Sequence, residues 1–245
     1  MENEPINEPV ASRSGANPYI LPASILIAAL LVSGSLIYLV RSGGIGAGGT
    51  ADKKWPKTAF TQCVESKQYK AQIQADYVAA GEAGVQGTPT VFVNGNLVND
   101  WSKDLNNAIE DALSGKVKPS SDPTFNIAER DVVLGDPAAP VTIIEYGDYQ
   151  CPWCARFFDQ IEPSLRANYI EPKKAKMVFR NFQFLSQESV DAAEAAECAK
   201  DQGKFWEFHD AIYKAELADG VEHNKNLNTD LFFQIATDIG LMKKK

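Results

Sequence analysis

The sequence predicts an α/β domain with a helical elaboration, preceded by one transmembrane helix. Three observations lead to this fold class: an uninterrupted apolar run at residues 20–40, β-prone segments that alternate with helical patterns after residue 55, and a globular composition. With 44% hydrophobic and 23% charged residues the chain can bury a core, which excludes collagen-like, low-complexity and wholly disordered classes.

The charge balance argues against nucleic acid as a partner. The chain carries 24 basic and 32 acidic residues, a net charge of −8, and the basic residues form no stripe along the sequence. A surface that follows a phosphate backbone needs such a stripe. We therefore expect no nucleic-acid binding.

The apolar run at residues 20–40 is long enough to span a membrane. Its 21 uncharged residues would form a helix of about 31 Å, against a hydrocarbon core of about 30 Å. A cleaved signal peptide is the alternative, but such peptides have a shorter apolar region, a basic leading segment and a small-residue cleavage site. The sequence therefore predicts a tail at residues 1–19, an uncleaved anchor at 20–40 and a Gly-rich linker at 41–54.

The charges that flank the predicted anchor leave its orientation open. Only Arg13 precedes the anchor, whereas Arg41, Lys53, Lys54 and Lys57 follow it. The positive-inside rule would then place the C-terminal domain in the cytoplasm, but large domains are translocated largely regardless of flanking charge. The chemistry of the cysteines therefore has to decide the compartment.

Local patterns predict alternating helices and strands through the domain. The helices are expected at 56–83, 102–113 and 151–165, as two or more within 189–217, and at 229–239, and the strands at 90–93, 96–98, 141–146 and 176–182. Asn94-Gly95 between the first two strands is a strong hairpin signal. Residues 116–140 contain several prolines and little periodicity, so most of this stretch is expected to be a connection.

Cys151-Pro152-Trp153-Cys154 lies where a predicted strand passes into a predicted helix. The N–H groups and the dipole of a helix N-terminus stabilise a thiolate, so we expect a depressed pKa for Cys151, with Pro152 in the first helical turn. Cys154 would face the core one turn later and could resolve a mixed disulfide. Half of a zinc site is the alternative, but no second C-x-x-C follows and the two histidines lack ligand spacing. We therefore expect redox chemistry, with no metal site and no cofactor.

Several segments around this motif agree with one known family. They are DPAAPVTIIEYGDYQCPWCARFF, VFRNF, AAEAAECA and GKFWEFHDAIY, and nearer the N-terminus KTAFTQCVES and AGVQGTPTVFVNG. Together they resemble the DsbA-like thiol:disulfide oxidoreductases of the thioredoxin superfamily, especially the membrane-anchored bacterial members. The resemblance implies a thioredoxin-like fold with a helical insertion.

The resemblance also implies roles for individual residues. Cys151 would be the attacking thiolate and Cys154 the resolving thiol. Thr88-Pro89 would form a loop with a cis peptide bond that presents its backbone to an extended substrate chain. By itself, Pro89 is only a turn proline.

Three further positions near the motif take their roles mainly from the resemblance. Glu145 would be a buried acid beneath Cys154 that moves a proton to or from this thiol; the alternative is a strand-end glutamate that points to solvent. Trp153 stands where a histidine would add positive charge, so we expect a moderately rather than extremely oxidising pair. Trp153 and Pro152 are also expected to help bind substrate.

Cys63 and Cys198 both lie on predicted helices. The resemblance implies a structural disulfide that joins the helical insertion to the thioredoxin core. Two buried free thiols are the alternative. An oxidising compartment favours the bond.

The order of these segments differs from the family order, in which C-x-x-C comes first. Here Pro89 precedes Cys151, so residues 55–115 would correspond to the family's C-terminal part, 116–131 to a bridge and 132–245 to the catalytic part. A circular permutation explains this order, because domain termini often lie close together. An artefact of gene assembly and a domain-swapped dimer of two incomplete modules are the alternatives.

The sequence-based hypothesis is a single-pass membrane protein with an extracytoplasmic thiol oxidase domain. Its substrates would be reduced secreted proteins, and the resemblance implies a membrane quinone-linked partner that reoxidises it. A disulfide reductase or isomerase of the same fold is one alternative. A non-enzymatic tethered binding module, in which the cysteines only brace the fold, is another.

Overall fold

Residues 55–219 and 225–243 are described by the computed structural model of the protein. The predicted tail, anchor and linker fall outside these residues, as does His223. In the two described ranges, no helix combines the length and the apolar character that crossing a lipid bilayer requires.

The chain from Trp55 to the predicted bridge forms two helices, a hairpin and a third helix. The elements are α1 (Ala59–Ser66), α2 (Lys70–Glu82), β1 (Thr90–Val93), β2 (Asn96–Val98) and α3 (Trp101–Leu113). The hairpin and α3 confirm the sequence prediction. The hairpin turn has positive φ at both Asn94 and Gly95, which is the conformation that an Asn-Gly pair favours.

The single helix predicted at 56–83 is wrong, because the chain turns between α1 and α2. Lys67 adopts the left-handed conformation with φ 55°. Its N–H and that of Gln68 donate to the carbonyls of Val64 and Cys63, which closes the end of α1. Thr58 caps the start of α1 by accepting from the N–H of Thr61.

The remainder of the chain supplies three strands and five helices within the described ranges. They are β3 (Val133–Leu134), β4 (Val141–Gly147), α4 (Pro152–Gln160), α5 (Glu162–Leu165), β5 (Ala175–Asn181), α6 (Gln187–Lys200), α7 (Phe205–Asp219) and α8 (Thr229–Asp238). A π-helical turn, Arg166–Ile170, continues α5. The short strand β3 was not predicted, because two residues carry no alternation.

One five-stranded sheet joins the two halves of the chain. Its strand order is β2-β1-β4-β5-β3, with β4 and β5 parallel and the other neighbours antiparallel. The contact between the halves is the antiparallel pair β1 and β4, in which Thr90 lies opposite Tyr146 and Val93 opposite Ile143. The strand before the C-x-x-C motif and the strand after Pro89 are therefore direct neighbours.

Helices cover both faces of the central strands, so β4 is buried along nearly its whole length. Ile143 contributes to the larger apolar cluster, which also contains Phe157 of α4 and Tyr213 of α7. The next residue, Ile144, belongs to a smaller cluster on the opposite face with Val178. This alternation sends successive side chains of β4 into different cores.

The predicted bridge at 116–131 packs against the domain at both of its ends. Near its start, the Ser120 N–H donates to the Asn94 carbonyl at 2.8 Å. Near its end, the half-buried Arg180 of β5 forms an ion pair with Asp131 at 2.7 Å and donates to the Asn126 carbonyl at 2.7 Å. The segment is therefore part of the folded unit.

Candidate active site

The loop between β4 and α4 places Cys151 at the start of the helix. The buried carboxylate of Asp148 accepts the N–H groups of Gln150, Phe184 and Leu185 at 2.9 to 3.1 Å. The backbone carbonyl of Asp148 accepts the Cys151 N–H at 3.0 Å. Cys151 is consequently fixed as the N-cap residue of α4, one position before Pro152.

The position of Cys151 favours its thiolate. The pKa of Cys151 is lowered to about 6, and hydrogen bonding from the Cys154 side chain is the largest cause. Hydrogen bonds from Thr88 and from the backbone N–H groups of Cys154 and Trp153 lower it further. Burial of Cys151 raises its pKa, but by less than these hydrogen bonds together lower it. As a thiol, Cys151 donates from Sγ to the Thr88 carbonyl at 3.2 Å.

Cys154 lies one helical turn later in the opposite environment. Its side chain is fully buried, and this burial raises its pKa well above the ordinary value. The hydrogen bond to Cys151 and the charge of that residue act in the same direction. Both cysteines are free thiols in the described structure, so the pair combines one acidic thiol with one that retains its proton.

Thr88 and Pro89 meet the cysteines although they lie far away in sequence. The peptide bond between them is cis, and it immediately precedes β1. Because β1 pairs with β4, this loop is brought to the N-terminus of α4. The Thr88 hydroxyl is buried and has no hydrogen-bond partner among the described residues.

A groove of about 540 Å³ lies beside this loop. Its lining includes Thr88, Pro89, Trp101, Trp153 and Arg156. Trp153 is 55% exposed, and the Arg156 guanidinium lies 5.4 Å from the centroid of one of its rings. The groove therefore offers aromatic surface and a cation next to the sulfur of Cys151.

Glu145 is buried in the middle of β4 and does not point to solvent. Its exposed fraction is 1%, and neither carboxylate oxygen has a hydrogen-bond partner in the described part of the chain. Burial is the main cause that raises the pKa of Glu145 well above 4.5, and the charges of Glu162 and Cys151 raise it further. The charge of Glu145 in turn contributes to the raised pKa of Cys154.

Sequence reasoning missed the groups around Glu145. Glu162 of α5 is 1% exposed and Arg166 follows it by one helical turn, with a distance of 2.6 Å between Oε2 and Nη2. Arg166 also binds Asp210 of α7 at 2.7 Å. A Glu-Arg pair at i and i+4 is a visible signal in the sequence, but it is equally typical of solvent-exposed helices.

The Cys63 and Cys198 side chains form a disulfide. It joins α1 to α6 and links residues on either side of the bridge, with a sequence separation of 135. His209 is fully buried among aromatic rings, with Nδ1 3.2 Å from an oxygen of Asp210. In residues 55–219 and 225–243, no group of three or more His, Cys, Asp and Glu is arranged to hold a metal ion.

Comparison with known proteins finds matches over parts of the chain. A family model described as Thioredoxin matches residues 48–111 and 128–239. A probable disulfide bond formation protein D of Bacillus anthracis is 37% identical over 91 residues, which cover 36% of this chain and 42% of that protein. A putative protein-disulfide oxidoreductase of Rickettsia prowazekii is 27% identical over 193 residues, which cover 74% of this chain and 68% of that protein.

Solved structures match over part of the chain. The crystal structure of Wolbachia pipientis alpha-DsbA1 is 27% identical, with a TM-score of 0.44, and the match covers 51% of this chain and 61% of that one. The chain spans less than half the length of several curated relatives, and only 16% of two of them. Because the family model covers more than half of the chain, the protein belongs to the thioredoxin family.

Proposed function

We propose that the domain is a thiol:disulfide oxidoreductase that donates disulfides through the Cys151-Cys154 pair. The observation that carries this proposal is the contrast between the two thiols: Cys151 has a pKa lowered to about 6, whereas the pKa of the buried Cys154 is raised. A stable Cys151 thiolate favours the reduced form of the enzyme, which makes the disulfide a good oxidant.

The oxidation of a substrate dithiol then takes two exchange steps. A substrate thiolate attacks Cys151 Sγ, the bond between Cys151 and Cys154 breaks, and a mixed disulfide with Cys151 forms. The second substrate thiolate attacks the substrate sulfur of that mixed disulfide, and Cys151 leaves as a thiolate. The substrate gains one disulfide, and the enzyme gains the two electrons as its dithiol.

In the first step Cys154 is the leaving group, and its raised pKa makes the thiolate a poor one. Burial raises the pKa of the Glu145 carboxyl well above 4.5, which favours the form that carries a proton. Glu145 can therefore give that proton to Cys154 as the sulfur departs. When the enzyme is reoxidised, the proton returns along the same path.

The loop at Thr88-Pro89 and the groove next to it support a substrate-binding role. The Thr88 carbonyl lies beside Cys151, where the backbone of an extended substrate chain could pair with this loop. Trp153 also lines the groove, and its exposed ring offers apolar contact area. A substrate-binding role for Pro152, the first residue of α4, remains part of the proposal.

A disulfide reductase or isomerase is the runner-up function. Thioredoxin, a reductase, has a nucleophilic cysteine with a pKa of about 7, and DsbA, a strong oxidant, one of about 3.5. The value of about 6 for Cys151 supports an oxidant of moderate strength. Turnover as an oxidase needs a reoxidising partner, for which a membrane quinone-linked protein is our proposal.

We also propose that residues 20–40 anchor the protein in a membrane, with the domain on the extracytoplasmic side. The apolar run at these residues supports the anchor. The disulfide between Cys63 and Cys198 supports the compartment, because structural disulfides persist in oxidising surroundings. Reduced secreted proteins would then be the substrates.

A circular permutation is our proposal for the segment order. Three observations support it: both halves contribute strands to one sheet, the family model matches two stretches separated by residues 112–127, and Trp55 donates to Asp230 of α8 at 2.7 Å. Peptide mapping of the native protein tests the order. A peptide that spans residues 110–135 is expected, and its absence would favour an assembly artefact.

The enzymatic proposal is tested by trapping. In the Cys154→Ser variant the Cys151 thiolate can attack a disulfide of an oxidised secreted protein, which breaks that bond and releases one substrate thiolate. Without Cys154 the resulting mixed disulfide is not resolved by the enzyme, so the variant should accumulate covalent adducts. The Cys151→Ser variant is the matched control and should form none. If the cellular function of the protein stays intact in the Cys151→Ser variant and the Cys154→Ser variant traps no adduct, the non-enzymatic binding module is favoured instead.

A further inference from the structure

One face of α4 contributes a row of side chains to the substrate groove. Trp153, Arg156 and Gln160 stand at positions i, i+3 and i+7 of the helix, which places them on the same face, and all three line the groove. The start of α3 adds Asp100 and Trp101 to the lining. Among the described residues, the lining therefore contains one carboxylate and one guanidinium.

The carboxylate of Asp100 is already engaged by its own helix. Its Oδ1 accepts the N–H and the hydroxyl of Ser102 at 3.1 and 2.6 Å, and its Oδ2 accepts the ammonium group of Lys103 at 2.7 Å. Asp100 is also the N-cap of α3, where the helix dipole favours a negative charge. The negative charge of the groove is thus balanced before a substrate arrives.

The guanidinium of Arg156 has no such balance. The other three arginines in the described part of the chain each form an ion pair with a carboxylate, whereas Arg156 forms none there. Its Nε donates to Gln160 Oε1 at 3.2 Å, and its Cζ lies 5.4 Å from the ring centroid of Trp153. These two contacts orient the side chain, and no described residue accepts a hydrogen bond from Nη1 or Nη2.

We propose that the groove selects substrate chains with an acidic side chain close to the reactive cysteine, and that Arg156 binds the carboxylate of this side chain. The proposal rests on the proposed function and names the substrate class of the same groove. A guanidinium presents N–H donors in a fixed fork that matches the two oxygens of a carboxylate. Because Trp153 and Gln160 already hold Arg156, little side-chain freedom is lost when the substrate binds.

Helix geometry indicates which substrate position meets Arg156. Arg156 follows Cys151 by five residues, a rise of about 7.5 Å along α4. An extended chain advances about 3.3 Å per residue. With the substrate cysteine at Cys151 and the substrate backbone beside Thr88, the acidic residue would lie about two or three positions from that cysteine.

A double-mutant cycle between Arg156 and the substrate tests the proposal. Two dithiol peptides are identical except at the positions two and three residues outside their cysteines, which are Glu in one peptide and Gln in the other. Stopped flow gives the second-order rate constant of each peptide with the oxidised full-length protein. We expect the Glu/Gln ratio of these constants to be about threefold to fivefold higher in the wild type than in Arg156→Gln. Any effect of Glu on the reactivity of the peptide thiols cancels, because both proteins receive the same peptides.

Lys174→Gln is the matched control. It removes the same single charge, and the Lys174 ammonium likewise lies over a ring, 5.9 Å from the centroid of Tyr169, but this lysine does not line the groove. Its Glu/Gln ratio should equal that of the wild type. The net charge of −8 disfavours acidic peptides at long range, so a preference for them reports a local contact. Equal ratios in the wild type and Arg156→Gln, or equal losses in Arg156→Gln and Lys174→Gln, would overturn the proposal.

A measurement on the wild type covers the case in which Arg156→Gln fails to fold. The reaction of the same peptides with hydroxyethyl disulfide, which is uncharged, gives the Glu/Gln ratio of the thiols themselves. At low salt the wild-type ratio should exceed this reference, and the excess should shrink as salt is added, because an exposed ion pair is screened. A ratio no higher than the reference would overturn the proposal. Failure of the wild type to oxidise either peptide would instead overturn the proposed function, so the two failures are distinguishable.

Discussion

The two faces of α4 differ in almost every property that matters for thiol chemistry. On the substrate face, Cys151 lies at the helix N-terminus beside the Thr88-Pro89 loop, and its pKa falls to about 6. On the inner face, Cys154 is fully buried near Glu145, and its pKa rises. Residues only three positions apart thus obtain opposite proton affinities, because hydrogen bonds, above all from Cys154, stabilise the Cys151 thiolate, whereas burial disfavours the Cys154 thiolate.

The largest expected effect is a loss of fold stability that leaves the difference between the two thiols unchanged. In the double variant Cys63→Ser/Cys198→Ser, the cross-link over 135 residues is lost, which should lower the free energy of unfolding by up to about 5 kcal/mol. Denaturant unfolding measures this loss. Since the disulfide joins α1 to α6 and not α4, the pKa of Cys151 should stay at about 6. A large rise of that pKa would show that the contrast is not local.

The second effect is the pH dependence of the stability of the protein with Cys151 and Cys154 reduced. A pKa that falls from 9.0 to about 6 on folding stabilises the folded state by about 4 kcal/mol. This contribution is fully present above the unfolded pKa near 9 and is lost as the pH falls through about 6.

Unfolding curves of the reduced protein and of the Cys151→Ser variant, recorded at several pH values, measure this contribution. The variant lacks the titrating thiol, so the difference between the two proteins should shrink from alkaline to acidic pH. A difference independent of pH would contradict the depressed pKa of Cys151.

The third effect concerns the inner face. The Glu145→Gln variant loses the acid that we assign to Cys154, so its reaction with a dithiol peptide should slow about a hundredfold at neutral pH. The pKa of Cys151 should change much less, because hydrogen bonds from Cys154 and Thr88 set it. Glu194→Gln is the matched control, because Glu194 is also 1% exposed but accepts the Tyr69 N–H. Equal rates in the wild type and both variants would remove Glu145 from the mechanism.

The smallest effect concerns the substrate face. The Trp153→Ala variant should weaken the apparent affinity for a dithiol peptide by a few fold, about 1 kcal/mol, with little change in the rate at saturation. Leu97→Ala removes an apolar side chain with the same exposed fraction, 55%, on the edge strand β2, and should have no effect. Equal losses in both variants would indicate nonspecific apolar binding.

The sequence was most informative where local chemistry decides the structure. Asn94-Gly95 predicts the hairpin, and a proline directly after Cys151 predicts the helix start at Pro152. The break at Lys67 was not predictable, because lysine has no preference for the left-handed conformation that it adopts there.

The groups that create the inner face depend on tertiary contacts. Glu145 and Glu162 carry no local sign of burial, and the sequence alone allows a solvent-facing position for either. Their burial depends on an apolar cluster that β4, α5 and α7 share, with Ile143, Leu165 and Tyr213 among its members, and that joins residues from distant parts of the chain. The assignment of Thr88-Pro89 likewise needed the family resemblance, since Pro89 alone is an ordinary turn residue.

The reduction potential of the Cys151-Cys154 pair tests the central claim most directly. It is measured in the full-length protein by equilibration with glutathione buffers of known potential. A Cys151 thiolate with a pKa of about 6 predicts a potential clearly less negative than the roughly −270 mV of thioredoxin. A value at or below that of thioredoxin would contradict the account and favour a reductase.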